Sequence, residues 1–327
     1  MKAKKGKQDP SYGERSCNPG GEEIQGHNMC HYSILGLRSR VMHSNSVSKV
    51  FLWWDSEKRD LPWRISRDPW AILVSEFMLQ QTQASRVVPK YNMFLERFPN
   101  PSLCANSNPG EVIELWSGLG YNRRAINLYR AAKTITEKHQ GIVPDELPIL
   151  LDLPGIGDYT ARAILAFSYE QDVAVVDVNV KRVLSRLEGK TLSMNETQSI
   201  ADQNLPKGEG WRWNQAMIEI GATICTARKT QCSNCPLKTT CVWSKDQTAP
   251  DPAISPKRKK LDTFEGSDRQ GRGKLINALR NEAVMEKDVP QILGWTNDHE
   301  RCKRVLRKLE KDGLVVITDS RKISLPS

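Results

Sequence analysis

Four cysteines, Cys225, Cys232, Cys235 and Cys241, lie in one short loop with the spacing C-x6-C-x2-C-x5-C. No other feature limits the fold as tightly, because four thiols this close in sequence are not an accident of core packing. Structural zinc usually takes two short C-x2–4-C units separated by a longer gap, whereas this is one compact loop with unequal gaps. Four thiolates of one loop also hold a cubane iron–sulfur cluster. The spacing favours one [4Fe-4S] cluster, with zinc as the alternative. Arg228, Lys229 and Lys238 share the loop, so such a centre would present a basic surface to phosphate. The other four of the eight cysteines, Cys17, Cys30, Cys104 and Cys302, have no such spacing and read as ordinary thiols. Eight cysteines in 327 residues are too few for a disulfide scaffold and fit a reducing compartment.

The rest of the composition narrows the class. Hydrophobic residues make up 39% and charged residues 26%, as in soluble globular proteins. No run of eighteen apolar residues is present and no apolar leader opens the chain, so a membrane span and secretion are not expected. The net charge of +10 is unevenly placed: residues 1–50 carry +4, residues 51–254 are neutral and residues 255–327 carry +6. Basic flanks either keep a protein soluble or draw it to a polyanion such as DNA.

Along the chain, residues 1–45 show no sustained hydrophobic period and are expected to be disordered; Met29 and Met42 are alternative starts to Met1. Residues 46–243 repeat apolar positions at three- and four-residue spacing, punctuated by Pro62, Pro69, Pro89, Pro99, Pro109 and Pro154, and read as all-α. Residues 244–262 read as a basic linker containing Lys257-Arg258-Lys259-Lys260. Residues 263–327 predict helices at 269–282, 287–293 and 298–311, then β-rich runs at 314–318 and 322–325. Three helices and a hairpin suggest a winged-helix-like unit. Its third helix carries Arg301, Lys303, Arg304, Arg307 and Lys308, either a solvated face or a nucleic-acid contact.

Within the helical unit, residues 145–167 predict a short helix, a Pro154-Gly155-Ile156-Gly157 turn and a second helix from about Asp158. Without side chains at Gly155 and Gly157, backbone N–H groups at the second helix's start can approach a phosphate oxygen. A plain connection between core helices is the alternative. Asp177 follows the apolar run Val173–Val176, about twenty residues on; it can cap the helix beginning near Val180, approach the hairpin, or both. Glu76 lies in the stretch 70–83, read as helix, with Ile72, Leu73, Leu79 and Gln80 as its neighbours. A carboxyl on such an apolar stripe is favoured in its neutral form, which suits a proton donor; a buried structural Glu is the alternative.

Together these features resemble the endonuclease III superfamily of DNA glycosylases. The stretches Leu61–Arg64, Ser75–Gln83, Gly118–Tyr121 and Trp213–Met217 narrow the resemblance, over about residues 48–243, to the A/G-specific adenine glycosylases. The resemblance implies a two-lobed helix-hairpin-helix fold with a cluster loop at 225–241, acting on double-stranded DNA that holds A:8-oxoguanine or A:G mispairs. It makes Glu76 the general acid and Asp177 the carboxylate that stabilises the sugar cation, supported by Tyr159 and Asn179. It places Arg59, Trp63, Leu79, Gln215 and Glu219 at the adenine pocket. It places Gln81, Thr82 and Tyr121 at the duplex vacancy and the opposite guanine; Gly155, Gly157 and Lys181 are expected at the DNA backbone. Bifunctional relatives carry Lys where Tyr159 stands, so a monofunctional hydrolase is implied. Residues 263–327 are too short for a Nudix-like domain and resemble instead the winged-helix tail of actinobacterial adenine glycosylases. A bacterial cytoplasmic, nucleoid-associated monomer is expected. A thymine glycosylase acting on T:G mispairs and a non-catalytic DNA-binding protein are the competing readings.

Overall fold

The computed structural model describes Met42, residues 44–254 and residues 263–327. The expectation of disorder over residues 1–45 therefore lies outside the described residues, apart from Met42, Ser44 and Asn45. The basic run of the linker lies outside them as well.

Helix starts follow local chemistry. Prolines at the first turn and side-chain caps supply the orphan ends that an α-helix leaves. Helices α1 (Ser44–Glu57), α2 (Pro62–Ile65), α3 (Pro69–Leu79) and α4 (Ala84–Arg97) come first. Then follow α5 (Pro101–Ala105), α6 (Pro109–Leu115), α7 (Arg123–Lys138), α8 (Leu147–Leu151) and α9 (Asp158–Phe167). The helical body closes with α10 (Val178–Glu188), α11 (Met194–Gln203), α12 (Gly210–Thr223) and α13 (Val242–Lys245). Asp68, Asn100 and Asn108 cap α3, α5 and α6 through their side chains, each followed by a proline, and Ser193 with Glu196 forms a capping box on α11.

Two apolar cores organise these helices. One gathers α3 to α9 around Phe77, Phe94, Trp116 and Ile164. The other gathers α1 and α10 to α12 around Trp54, Leu184, Trp213 and Ile220. The chain crosses between them at residues 58–68 and 168–177. These crossings set the site at the seam: α3 and α9 belong to the first core, and the start of α10 to the second.

Residues 263–327 form α14 (Asp268–Leu279), α15 (Val289–Leu293) and α16 (His299–Lys311) with three short strands, β1 (Val284–Met285), β2 (Val316–Ile317) and β3 (Lys322–Ser324). The sheet order is β1-β3-β2, both pairings antiparallel, with Ile323 opposite Val284 on one side and Ile317 on the other. Strand β1 adds to the expected hairpin: two residues cannot display an alternating pattern, so the sequence does not signal it. Leu275, Leu306 and Ile323 pack into the same core as α3 to α9.

Two further expectations need correction. The stretch 70–83 is helical only to Leu79, because Gln80 leaves helical geometry and Gln81 takes φ +56°. Gln80 is therefore not a helical neighbour of Glu76. The helical body also begins earlier than the hydrophobic period suggests, at Ser44. Among the described residues no helix is long and apolar enough to cross a membrane.

Candidate active site and DNA-facing surface

Glu76 sits in the apolar helix α3, and its side chain is buried with it. Loss of water raises its carboxyl from an ordinary 4.5 to about 7; a hydrogen bond from Tyr159 opposes this and the nearby charge of Asp177 adds to it. Glu76 Oε2 is buried and has no hydrogen-bond partner. An unpartnered oxygen in so dry a place is costly unless a ligand completes it. Tyr159, in the first turn of α9, is held well above its ordinary range by burial and by the two carboxylates, so its hydroxyl stays protonated as a donor.

Asp177 caps α10 as the sequence allows. Its Oδ1 accepts from the backbone N–H groups of Asn179 (2.8 Å) and Val180 (2.7 Å), and its Oδ2 from Asn179 Nδ2 (2.6 Å). Burial pushes this carboxyl up, while the N–H donors and Arg182 pull it back. The net shift is upward, yet its three hydrogen-bond partners are all donors, the pattern an ionised carboxylate requires. Asn179 Oδ1 accepts in turn from Arg182 Nη2 (2.7 Å), whose guanidinium also donates to the carbonyls of Cys225 and Gly221 (both 2.6 Å). The acid, the carboxylate and both supporting residues thus form one cluster, tied by Arg182 to the cysteine loop.

A second cluster lies on α12. Glu219, fully buried, accepts from Arg59 Nε (2.6 Å) and Nη2 (2.7 Å) and from Arg64 Nη2 (2.6 Å). Burial alone would raise Glu219, but these two guanidiniums outweigh it and hold the carboxyl below its ordinary value. Arg64 Nε donates to Gln215 Oε1 (3.0 Å). Trp63 is buried edge-on to Tyr91, and Leu79 is half-buried at the end of α3. Gly221, two residues beyond Glu219, leaves no room for a Cβ against Asn179 (2.7 Å), so this cluster abuts the Asp177 cluster.

A third cluster goes beyond the three residues expected at the duplex vacancy. Gln81 and Tyr121 both take positive φ, +56° and +49°, and Tyr121 is 53% exposed. Side chains rarely adopt that geometry without a cause. The cause here is Arg124, a buried guanidinium at the start of α7. It donates to the carbonyls of Phe77, Met78 and Gln80 (2.7, 2.9 and 2.6 Å), to those of Leu119 and Gly120 (3.3 and 3.1 Å) and to Thr82 Oγ1 (3.1 Å). One side chain thus fixes both turns and presents their tips outward. Burial lowers its pKa to about 10, still charged at neutral pH.

In the hairpin, Ile156 is buried while Gly155 (φ +80°) and Gly157 face solvent. A Cβ on Gly155 would strike Asn127 at 2.7 Å. No side chain caps α9, so its first N–H groups point outward from Gly157. Lys181 is half-exposed in the first turn of α10.

The four loop cysteines are free thiols, and three of them pack on the second core. Each lies within electrostatic reach of the others around Cys235. Cys225 Sγ accepts from Arg186 Nη1 (3.2 Å), a buried residue that also pairs with Asp251 (2.5 Å). Among the described residues no three His, Cys, Asp or Glu side chains stand close enough to grip a single ion.

Arg64, Arg124, Arg182 and Arg186 are site residues that sequence reasoning does not find. Their one sequence signal is position: Arg186 shares the inward side of α10 with Val183 and Leu187, where an unpaired guanidinium would not be tolerated.

The helical body thus carries a hairpin whose second helix has no side-chain cap and two carboxylates at the seam between its cores. The family model described as HhH-GPD superfamily base excision DNA repair protein matches residues 74–206. The adenine DNA glycosylase of Mycolicibacterium smegmatis is 40% identical over 287 residues, spanning 86% of this chain and 96% of the relative. That of Homo sapiens is 38% identical over 204 residues, 58% of this chain and 37% of the relative. Among solved structures, a thermostable thymine-DNA glycosylase is similar with a TM-score of 0.58 at 30% identity, over 61% of this chain and 94% of that one. A trapped endonuclease III–DNA covalent intermediate shares the fold, with a TM-score of 0.56 at 23% identity over 62% and 96%. The chain belongs to the adenine DNA glycosylase family of the HhH-GPD superfamily.

Proposed function

We propose that this protein hydrolyses the N-glycosidic bond of adenine mispaired with 8-oxoguanine or guanine in duplex DNA, leaving an abasic site and cutting neither strand. The observation that carries this is the pairing of a buried acid, raised to about 7 and with one unpartnered oxygen, with a carboxylate held by three donors.

The chemistry follows from those two groups. Adenine leaves poorly until its ring is protonated. Glu76, half-protonated near pH 7, delivers that proton through the unpartnered side of its carboxyl. The base–C1′ bond then breaks, its electron pair going to the adenine, and the sugar becomes cationic. The ionised Asp177 offsets that charge, in the two-carboxylate logic of glycoside hydrolysis. Water adds to C1′ and yields its proton to the Glu76 carboxylate, which restores the acid. The base must first leave the stack, at a cost of a few kcal/mol. Gln81 and Tyr121 are the tips that would hold the vacancy, and the Arg59–Arg64–Glu219–Gln215 cluster offers the polar edges that would read the extruded base. The hydroxyl of Tyr159 is engaged with Glu76 and offers no amine for an imine, in keeping with a monofunctional enzyme.

The four loop thiols suit a [4Fe-4S] cluster, which would be held by Cys225, Cys232, Cys235 and Cys241. Support comes from their spacing within one loop, their free thiols and the Arg186 donor to Cys225. Bound there, the cluster would cross-link the loop. Iron and acid-labile sulfide near four per chain, lost in Cys235→Ser, are expected; bound zinc in their place would refute it. Residues 263–327 fit a winged-helix-like unit by their three helices and three-stranded sheet.

The test is single-turnover excision on A:8-oxoguanine, A:G, T:G and A:T duplexes, with Glu76→Gln beside the wild type. Adenine release from the first two, absent in the variant, is expected. Thymine release from T:G alone would move the protein to the other branch of the superfamily. Binding without any release would make it a non-catalytic DNA-binding protein.

A further inference from the structure

The turn that carries Tyr121 has little within itself to hold its shape. Gly118 (φ +86°) and Gly120 (φ +70°) both take left-handed geometry, and a Cβ on either would meet no atom beyond its chain neighbours within 4 Å. Two uncrowded glycines leave such a stretch many conformations of similar energy. Tyr121 itself takes φ +49°, a geometry that a side chain keeps only where its surroundings over-determine it. Arg124 does part of this by gripping the carbonyls of Leu119 and Gly120. The helices between which the turn is strung, α6 and α7, are also held from the C-terminal unit.

Arg280, at the end of α14, makes the central contact. Its Nη2 donates to the Ile113 carbonyl in α6 (3.0 Å) and to Asn122 Oδ1 (3.4 Å). One guanidinium thus spans the turn, from the helix before it to the residue after Tyr121. Its Nη1 donates to Asn277 of its own helix, which aims the fork. Asn122 opens α7, yet its side chain caps nothing there; its oxygen faces Arg280 instead. Beside it, Arg123 pairs with Asp312 at the end of α16 (3.8 Å), and Arg130, two turns on, donates to the Asp312 carbonyl (3.3 Å). Asp312 is itself buried and fixed by Arg272 (2.7 Å). At the start of α6 the Gly110 N–H donates to the Pro326 carbonyl (2.9 Å). The apolar cores of the two parts are continuous.

Arg280 Nε is buried without a partner, so this guanidinium is drawn from water at a cost. An aliphatic side chain would join two apolar faces without that cost. What it would not do is bond to oxygens on either side of Tyr121 in the chain.

We propose that Arg280 is a positioning residue for excision: with Asp312, it holds the α6–α7 turn from outside, so that Tyr121 stands in place before DNA arrives. The inference rests on the function proposed above, which gives Tyr121 its task at the vacancy. Residues 263–327 then contribute to base extrusion from within the protein, by supporting the wedge of the glycosylase body. A wedge set in advance spares the complex the ordering cost at the moment of binding.

The test compares the full-length chain with its Arg280→Met variant, which keeps the bulk of the stem and removes every donor. Hydrogen exchange is measured without DNA. Amides of residues 116–125 should exchange about tenfold faster, while those of the hairpin at 154–160 keep the wild-type rate. No change in 116–125, or equal acceleration of both segments, overturns the proposal. Should the variant unfold the C-terminal unit, seen as lost protection in α14 and α16, Asn122→Ala decides in its place. That change removes one acceptor from a residue that caps nothing; the same segment should loosen, and an unaltered rate there overturns the proposal. Mispair affinity is then measured on a Glu76→Gln background, so that the duplex stays whole. Arg280→Met should weaken binding about tenfold where Tyr121 is present and not at all beside Tyr121→Ala. Equal loss in both backgrounds would mean that Arg280 does not act through Tyr121, and overturns the proposal. If Tyr121→Ala alone binds the mispair as tightly as its parent, the wedge reading within the proposed function fails, while the exchange arm still decides whether Arg280 holds the turn.

Discussion

Glu76→Gln should stabilise the folded protein while abolishing its chemistry, and the gain should depend on pH in a defined way. In the unfolded chain the carboxyl titrates at an ordinary 4.5; in the native state it titrates at about 7. Below pH 4.5 both states bind the proton and the residue is neutral in its effect. Between 4.5 and 7 the unfolded state ionises and the native state does not, so native stability is lost as pH rises through that window. Above 7 the loss levels off at about 3 kcal/mol, from 1.36 kcal/mol for each pH unit between the two values. Glutamine has no charge to desolvate and removes this penalty. Its amide lacks a partner on the side of Oε2, so the net gain at pH 8 should be about 2 kcal/mol, or roughly 4–8 °C in Tm. Thermal unfolding of matched, cofactor-replete samples at pH 5, 6, 7 and 8 measures it. The difference between variant and wild type should open steadily across the series. A variant less stable than wild type at pH 8, or a pH-independent difference, would refute the burial argument and with it the claim of a neutral acid.

The same ionisation governs catalysis: single-turnover excision should fall about tenfold per pH unit above about 7, and this limb should vanish if another group is the acid. Asp177→Asn exchanges an acceptor for an amide facing three donors. Excision should drop by several orders of magnitude, and loss of the α10 cap should cost about 1 kcal/mol in chemical unfolding. Arg124→Ala frees both tips at once; mispair affinity should weaken tenfold or more while far-ultraviolet dichroism stays near wild type, and unaltered affinity would remove Arg124 from the wedge. Arg182→Ala leaves Asn179 without its anchor to the cysteine loop. Single-turnover rate should fall with DNA affinity largely retained, and equal loss in both would mean the loop itself had moved.

Much of the fold is legible because it is written locally. The prolines opening α2, α3, α5, α6 and α8, the Asx and Ser caps and the hairpin glycines each fix a boundary within a few residues. The cap role of Asp177 and the apolar setting of Glu76 are readable for the same reason. The convergence of these two carboxylates is not, since they lie a hundred residues apart and on different cores; only the resemblance joins them. Least legible are the buried arginines. Arg64, Arg124, Arg182 and Arg186 look like surface residues in composition; Arg124 and Arg182 bond mostly to backbone carbonyls, which every sequence has everywhere, and Arg64 and Arg186 to side chains far away in sequence. The end of α3 misleads because Gln80 and Gln81 are good helix formers by propensity, and it is Arg124, forty-four residues beyond Gln80, that pulls their carbonyls out of the helix.

The seam between the two cores carries one more implication. The acid packs in one core and the carboxylate opens a helix of the other, so their separation is set across the seam. Misplacement of either group by about 1 Å can cost about a hundredfold in rate. Substitutions within residues 168–172 of the second crossing, which carry none of the site residues, can then slow the enzyme with every catalytic side chain intact. Conversely, a duplex that touched both sides of the seam would set that separation as it bound.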